Sequence, residues 1–262
     1  MAHSVIITIV NQKGGVGKTT TAVNLSHYLA LKSYRTLLVD LDSQGNVSDC
    51  LGLEAGEDLY YFLSPDSTKP LEEVITPSGR PNLDVIRSNK RTLPLETTLN
   101  GMDFREYILA NAFEEVDYDV IVIDCPPGVR LLQTMAIVAA QHMIIPTELE
   151  QLSSKGVAAV IQSYKSIMAG SRSSCRLSGV LPTFYERVTK ETHEQLDNLV
   201  GNLQDLVLPP IPKDVKCKEA VRFGKTLWEY APKSHVITGI PEGKKKFLGG
   251  YSQACQRIEQ LL

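Results

Sequence analysis

A glycine-rich segment near the start of the chain has the residue types needed to bind a chain of phosphates. It consists of Lys13, Gly14, Gly15, Val16, Gly17, Lys18, Thr19 and Thr20. Glycine allows positive φ angles, so successive backbone N–H groups can point inward at an anion. Lys18 is placed to reach the β- and γ-phosphates of a nucleotide, and the Thr19 hydroxyl to bind Mg²⁺. The alternative is an ordinary glycine turn with a surface lysine.

The elements on either side of this segment are those that a phosphate-binding loop requires. Residues 5–10 form an apolar, β-branched run that predicts a buried strand, and residues 19–31 show helical spacing of apolar residues. The loop therefore lies between a strand and a helix. The positive end of that helix adds to the attraction for phosphate.

Acidic side chains end two other predicted strands. The run 35–42 contains Asp40 and Asp42 at its carboxyl end, and the run 119–124 ends in Asp124. Open α/β sheets bind ligands at the carboxyl ends of their strands, so these acids should lie beside the phosphate loop. A carboxylate such as Asp124 can hold a Mg²⁺-bound water there. The alternative for Asp40 and Asp42 is that they are solvated acids capping the next helix.

The remaining chain alternates strand-like and helix-like segments. This pattern predicts an α/β fold, a doubly wound and mainly parallel sheet with helices on both faces. Residues 52–104 are the least informative, because five prolines divide them into turns. Other strands are expected at 83–86, 142–147, 176–183 and 207–211, and helices at 71–75, 155–168, 188–203 and 251–262.

Composition is that of an ordinary globular protein. The chain has 262 residues, a mass of 28.9 kDa and a net charge of −3, and we expect a single domain spanning 1–262. Its five cysteines are an odd number and widely spaced, which favours free thiols and a cytoplasmic location. There is no apolar run of 18 residues and no signal-peptide pattern.

The glycine-rich segment resembles the deviant Walker A motif of the ParA/MinD family, whose mark is a second lysine at the position of Lys13. The resemblance implies a P-loop NTPase that binds ATP and Mg²⁺. It also implies a homodimer that sandwiches two ATP molecules, with Lys13 reaching the phosphates bound by the partner. A solvated loop charge is the alternative for Lys13.

The resemblance extends over most of the chain and implies further roles. The stretch from Asp40 to Asn46 resembles the A′ motif, although Ser43 replaces its usual proline. In it, Asp42 would activate the attacking water and Asp40 would lie near Mg²⁺. Asp124 with Pro126 and Pro127 resembles the Walker B strand and the start of a switch loop.

Three further positions follow from the same resemblance. Glu150 would meet the partner subunit, and Pro212 and Val215 would pack on the adenine. A plain strand-to-helix turn is the alternative for the last two. The family often has Asn near Thr183 to hold the purine, and its absence leaves that contact open.

Positive charge is concentrated late in the chain. Residues 212–250 hold nine basic side chains against four acids, a local charge of +5. Such a face can bind phosphate backbones without reading sequence, although many charge runs are only solvated surface. The residues that we expect to contact DNA are Arg222, Lys225, Lys244, Lys245 and Lys246.

The motifs together resemble a small ParA-type (Soj-like) ATPase without an N-terminal DNA-binding domain. The resemblance implies binding of nonspecific DNA by the ATP dimer, nucleoid association, and hydrolysis stimulated by a ParB-like or organelle adaptor. The cargo could be a plasmid, a chromosome or a protein organelle such as the carboxysome. Three alternatives stay open: a MinD-like membrane-associated positioning ATPase, an iron–sulfur carrier, and a nucleotide-gated binding module without turnover. The C-terminal helix lacks the apolar face of a membrane anchor.

Overall fold

A seven-stranded sheet forms the centre of the computed structural model, which describes residues 4–128, 131–149, 154–170, 173–186, 190–242 and 246–262. In chain order the strands are β1 Val5–Ile9, β2 Thr36–Asp40, β3 Thr76–Arg80, β4 Leu83–Ile86, β5 Val120–Asp124, β6 His142–Glu148 and β7 Arg176–Thr183. Their order across the sheet is β3-β4-β2-β5-β1-β6-β7. All neighbours are parallel except β3, which pairs antiparallel with β4. The expected α/β, mainly parallel sheet is confirmed.

Helices cover both faces of the sheet. They are α1 Lys18–Leu31, α2 Asn46–Leu51, α3 Asp58–Leu63, α4 Leu71–Val74, α5 Thr92–Asn100, α6 Ile108–Phe113, α7 Leu131–Ala139, α8 Ser154–Gly170, α9 Lys190–Leu203, α10 Lys216–Arg222, α11 Leu227–Tyr230, α12 His235–Thr238 and α13 Gly250–Glu259. A small hairpin, β8 Ile240–Glu242 and β9 Lys246–Leu248, precedes the last helix.

Two apolar cores explain the two helical layers. Alternate residues of a strand point to opposite faces, and β1 divides its side chains accordingly. Ile7 and Ile9 pack with α1 and α13, whereas Ile6 packs with α7 on the other face. Every residue of β2 and of β5 is buried. These central strands hold the carboxyl edge of the sheet in a fixed position.

The expected strand at 207–211 is not continuous. Two isolated bridges, Val180 to Val207 and Tyr185 to Pro212, set the segment parallel to β7. Pro209 and Pro210 lie between them and have no N–H to donate, so a regular ladder cannot form. The segment still runs beside the sheet and delivers the loop before α10 to its carboxyl edge.

The edge strand β3 lies in a part of the chain where the sequence predicted only turns. Its last residue, Arg80, donates hydrogen bonds to the carbonyls of Leu51 and Gly224, each at 3.0 Å, and to the Glu229 carboxylate at 2.8 Å. Gly52 and Gly224 pack backbone to backbone, because a Cβ on Gly224 would lie 2.4 Å from the Gly52 Cα. The end of α2 and the loop after α10 are therefore fastened together.

Within the ranges that the structure describes, no helix is both long and apolar enough to cross a membrane.

Candidate nucleotide-binding site

The glycine-rich loop joins β1 to α1 at the carboxyl edge of the sheet. Gly15 has φ 76° and Gly17 has φ 88°, angles that side chains with a Cβ rarely adopt. Gly17 is also the N-cap of α1, so the N–H groups of the first turn face the loop. A Cβ on Gly14 or Gly15 would meet nothing within 4 Å, which leaves open space over the cradle.

Lys18 is the first residue of α1, and its side chain folds back into the loop. Its ammonium donates a hydrogen bond of 2.8 Å to the carbonyl of Lys13, and only 7% of the residue is exposed. Burial lowers the pKa of Lys18, and the nearby Asp124 carboxylate opposes that shift. A lysine so confined would gain favourable electrostatic energy if phosphate oxygens replaced the carbonyl.

Lys13 is paired within its own chain. Its ammonium lies 2.9 Å from Oε2 of Glu148, and the two side chains are 42% and 22% exposed. The Lys13 backbone N–H donates to Asn11 Oδ1 at 3.0 Å, and Asn11 Nδ2 donates to the Pro146 carbonyl at 2.7 Å. Asn11 therefore fastens the loop to β6.

Asp40 is anchored by the backbone that follows it. One of its oxygens accepts from the Asp42 N–H at 2.9 Å and the other from the Val47 N–H at 3.3 Å. The residue is fully buried. Burial raises its pKa well above the ordinary value, and the neighbouring Asp124 adds to the shift. Both oxygens of Asp40 thus hold the turn before α2.

Asp124 lies beside Asp40 in the sheet and is buried without such support. Neither of its oxygens has a hydrogen-bond partner of normal geometry among the described residues. Burial raises its pKa to about 7, while the Thr19 hydroxyl nearby and the Lys18 ammonium act to lower it. An unpartnered buried carboxylate next to a threonine hydroxyl fits a Mg²⁺ site, since Mg²⁺ prefers oxygen ligands and keeps waters and phosphates in its shell.

Asp42 occupies the turn between β2 and α2. Its Oδ1 accepts from the Gln44 N–H at 3.0 Å, and its carbonyl accepts from the Gly45 N–H at 3.0 Å. This side-chain-closed turn forms with Ser43 in place of the usual proline. Gly45 is required here, because it has φ 69° and a Cβ would lie 2.6 Å from the Ser88 carbonyl.

The segment after Asp124 also reaches the loop. The Gly128 N–H donates to the Gln12 carbonyl at 2.8 Å, and Gly128 has φ 85°. The turn that begins at Pro126 and Pro127 is therefore tied to the residue preceding Lys13, a suitable place for a segment that responds to the nucleotide.

The structure brings other expected residues to this edge to different extents. Thr183, at the end of β7, donates its hydroxyl to the Val16 carbonyl at 3.1 Å. Pro212 is buried and Val215 is 69% exposed. Glu150 lies outside the described residues, so its expected interface role has no structural description.

Some of the basic residues form ion pairs with acids of the same chain, although their side chains are also substantially exposed. Lys216 pairs with Glu219 at 2.7 Å, and Lys213 pairs with Glu186. Arg222 and Lys225 are exposed on either side of Phe223. Of the remaining expected DNA contacts, Lys244 and Lys245 lie outside the described residues, and Lys246 belongs to β9 without a described side chain.

Two residues of the site were missed by sequence reasoning. Neither Glu148, which follows the expected strand at 142–147, nor Asn11, which precedes the glycine-rich segment, was expected to hold the loop. A signal was present for Glu148, since the strand before it was expected to end at the same edge as the loop. Nothing local indicated that Asn11 would bridge two strands, because that depends on β1 and β6 being neighbours.

The fold and the loop geometry define a P-loop nucleotide-binding protein, and comparisons with known proteins agree. The profile of the AAA domain family matches residues 4–176. The chain is 35% identical to the chromosome-partitioning ATPase Soj of Thermus thermophilus, covering 87% of this chain and 89% of Soj. It is 34% identical to the chromosome partitioning protein ParA of Myxococcus xanthus, covering 87% and 82%. The chain belongs to the ParA/Soj family of ATPases.

A solved structure supports the nucleotide site as well. Cobyrinic acid a,c-diamide synthase from Mycobacterium smegmatis, with bound ATP analog and magnesium, superposes with a TM-score of 0.73. It is 30% identical and covers 84% of this chain and 92% of its own. The fold is thus shared with a protein that holds a nucleotide and the metal ion together.

Proposed function

We propose that this protein is a ParA-type ATPase that forms an ATP-sandwich dimer, binds nonspecific DNA, and uses adaptor-stimulated hydrolysis to partition or position a cargo. The observation that carries the proposal is the loop itself, in which two lysines flank glycines with positive φ beside the buried Asp124. Relatives named as partitioning proteins match at 34–35% identity, above the diamide synthase at 30%. We therefore favour partition over amide synthesis.

Within each subunit, the residues divide the work of holding and cleaving ATP. The loop N–H groups and Lys18 would bind the phosphates, and Thr19 with Asp124 would hold Mg²⁺. The metal ion would neutralise charge on the β- and γ-phosphates. Asp42 would orient and activate the attacking water. Asp40 would act indirectly by positioning Asp42, because both its oxygens already accept hydrogen bonds from the turn that carries Asp42.

Across the dimer, Lys13 would reach the phosphates bound by the partner. A cation there stabilises negative charge that develops during phosphoryl transfer. Glu150 would lie at the same interface, and Pro212 and Val215 would contact the adenine. Because ATP would bind the dimer better than the monomer, nucleotide state sets the oligomeric state.

Arg222 and Lys225, with Lys244, Lys245 and Lys246, would bind DNA through its phosphates. Two copies of this face in one dimer bind more tightly than one, because the second contact becomes intramolecular. The ATP dimer would therefore associate with the nucleoid, and hydrolysis would release it. The adaptor would be ParB-like or specific to an organelle, and the cargo a plasmid, a chromosome or a carboxysome-like body.

The test is a salt-titrated DNA-binding assay with ATP, with ADP and without nucleotide. We expect binding with ATP alone and a steep loss of affinity as salt rises. The double variant Arg222→Ala, Lys225→Ala should weaken binding and reduce the salt dependence. Arg35→Ala is the matched control, since Arg35 precedes β2 and so lies at the opposite edge of the sheet. Equal binding in all three nucleotide states would overturn the proposal.

A MinD-like membrane ATPase is the second candidate. The exposed apolar Val221 and Phe223 beside Arg222 favour it, because an apolar and basic surface also suits anionic lipid. ATP-dependent sedimentation with anionic vesicles, without retention of DNA, would select this alternative.

A further inference from the structure

Lys13 is held in place from two directions in the single subunit. β6 is the neighbour of β1, so Glu148 at the end of β6 lies beside the loop that follows β1. The Lys13 ammonium lies 2.9 Å from the Glu148 carboxylate. The Lys13 backbone is fixed independently, because its N–H donates to Asn11 and its carbonyl accepts from Lys18. Only the side chain of Lys13 is available for exchange between partners.

We infer that Glu148 is a positioning residue that holds Lys13 in the monomer and opposes its transfer to the ATP of a partner subunit. This inference rests on the proposed sandwich dimer. A triphosphate that reaches the Lys13 ammonium brings negative charge beside the Glu148 carboxylate, and like charges at this distance repel. The pair must therefore open, or the carboxylate must turn away, before the trans contact forms.

The Lys13–Glu148 ion pair opposes formation of the ATP dimer. Each dimer breaks two copies of it, one for each subunit. Lys18 undergoes a parallel exchange, since its ammonium leaves the Lys13 carbonyl when phosphates enter the loop. Filling the loop thus removes one of the bonds that fix the Lys13 backbone, but the Lys13–Glu148 pair opens only when the phosphates bound by a partner subunit approach. Dimerisation then follows nucleotide binding rather than preceding it.

The size of the effect follows from the exposure of the pair. Ion pairs on partly exposed side chains are weak, and two of them correspond to a roughly 2- to 30-fold change in the dimer dissociation constant. Glu148→Gln keeps a hydrogen-bond acceptor but removes the charge. We expect this variant to dimerise roughly 2- to 30-fold more tightly with a non-hydrolysable ATP analogue and Mg²⁺.

The experiment is sedimentation equilibrium of the full chain and its variants with the analogue, at low and at high salt. Glu57→Gln is the matched control, because it removes a carboxylate from an exposed ion pair with Arg91 on another part of the surface. The advantage of Glu148→Gln should shrink near 1 M salt, where screening acts within about 3 Å. It should also vanish in a Lys13→Ala background, and ADP affinity should stay unchanged.

Each outcome decides the matter. A dimer that is weakened or unchanged by Glu148→Gln would overturn the inference, and so would a gain that persists without Lys13. If neither the natural chain nor any variant dimerises with the analogue, the proposed function fails together with the inference. If the natural chain dimerises and Glu148→Gln makes no difference, only the inference fails.

Discussion

Asp40 and Asp124 stand at the same level of two adjacent parallel strands, as register partners at the ends of β2 and β5. They differ in support, because Asp40 accepts two backbone N–H groups whereas Asp124 has no partner of normal geometry among the described residues. The unsupported carboxylate is therefore the one with oxygens left to bind a cation. Burial of the Asp124 carboxylate is electrostatically unfavourable, and a bound cation would offset this.

Asp124→Asn should make the metal-free protein more stable near pH 8. The folded-state pKa of Asp124 is raised to about 7, so stability is greatest below its unfolded pKa of about 3.9 and is lost as pH rises through about 7. Removing the charge should raise the free energy of unfolding by at most about 4 kcal/mol at pH 8 and by almost nothing at pH 4. Urea unfolding in EDTA at both pH values measures this.

The same variant should lose roughly 100-fold or more in Mg²⁺-dependent turnover. Asp117→Asn is the control, since that exposed acid pairs with Arg35 outside the site. A variant that is less stable at pH 8 than the natural chain, or that keeps full turnover, would contradict the role given to Asp124.

Asp42→Ala should slow ATP turnover by about 100-fold or more while leaving the ATP dimer intact. The dimer should survive because the Asp42 side chain is only half-buried and makes one hydrogen bond, to the Gln44 N–H, so its removal disturbs little else. Single-turnover hydrolysis measures the chemistry, and sedimentation with ATP measures the dimer. Normal turnover in a folded variant would remove Asp42 from its role.

Protonation of His27 should lower the free energy of unfolding of the protein in mild acid. His27 is buried, its Nδ1 lies 2.7 Å from the Thr226 hydroxyl, and burial lowers its pKa below the ordinary value. As pH falls below about 6.5 the unfolded chain takes up the proton first, so the stability contributed by the neutral ring is lost.

His27→Gln tests this. Because the buried carboxylates favour acid in the metal-free protein, the difference between the natural chain and the variant is the quantity to follow from pH 8 to pH 5. The natural chain should have the higher free energy of unfolding at pH 8, and its difference from His27→Gln should decrease as the pH falls to 5. A constant difference would show that the ring does not titrate in this range.

Arg80→Ala should destabilise the fold by about 2–4 kcal/mol, because it leaves two backbone carbonyls and the Glu229 carboxylate without their shared donor. The Arg80 side chain is only 9% exposed. Arg35→Ala is the control, since its side chain is half-exposed in its ion pairs with Asp117 and Asp119. Chemical unfolding should separate the two variants clearly; equal losses would mean that the Arg80 junction adds no more than a surface pair.

The sequence predicted the parts of this molecule that depend on local patterns. Apolar runs located the central strands, and the rule that ligands bind at the carboxyl ends of parallel strands predicted that Asp40 and Asp124 lie near the glycine-rich loop. The ranges 83–86 and 176–183 coincide with β4 and β7, because short β-rich runs bounded by turn residues leave little freedom.

What the sequence did not predict depends on contacts between distant segments. β3 contains Pro77 and Gly79, which normally signal turns, yet it pairs at the sheet edge, where such residues are tolerated. The segment at 207–211 is an exception, because Pro209 and Pro210 are a local signal against a regular strand. The partner of Lys13 could not be read locally, since Glu148 is 135 residues away.

The most direct test of the account is the molar mass of the Asp42→Ala variant, measured by analytical ultracentrifugation with ATP and Mg²⁺ and then with ADP and Mg²⁺. We predict a dimer with ATP, a monomer with ADP, and a weaker ATP dimer when Lys13 is also replaced by alanine. A chain that stays monomeric with ATP at concentrations well above saturation of the loop would contradict it.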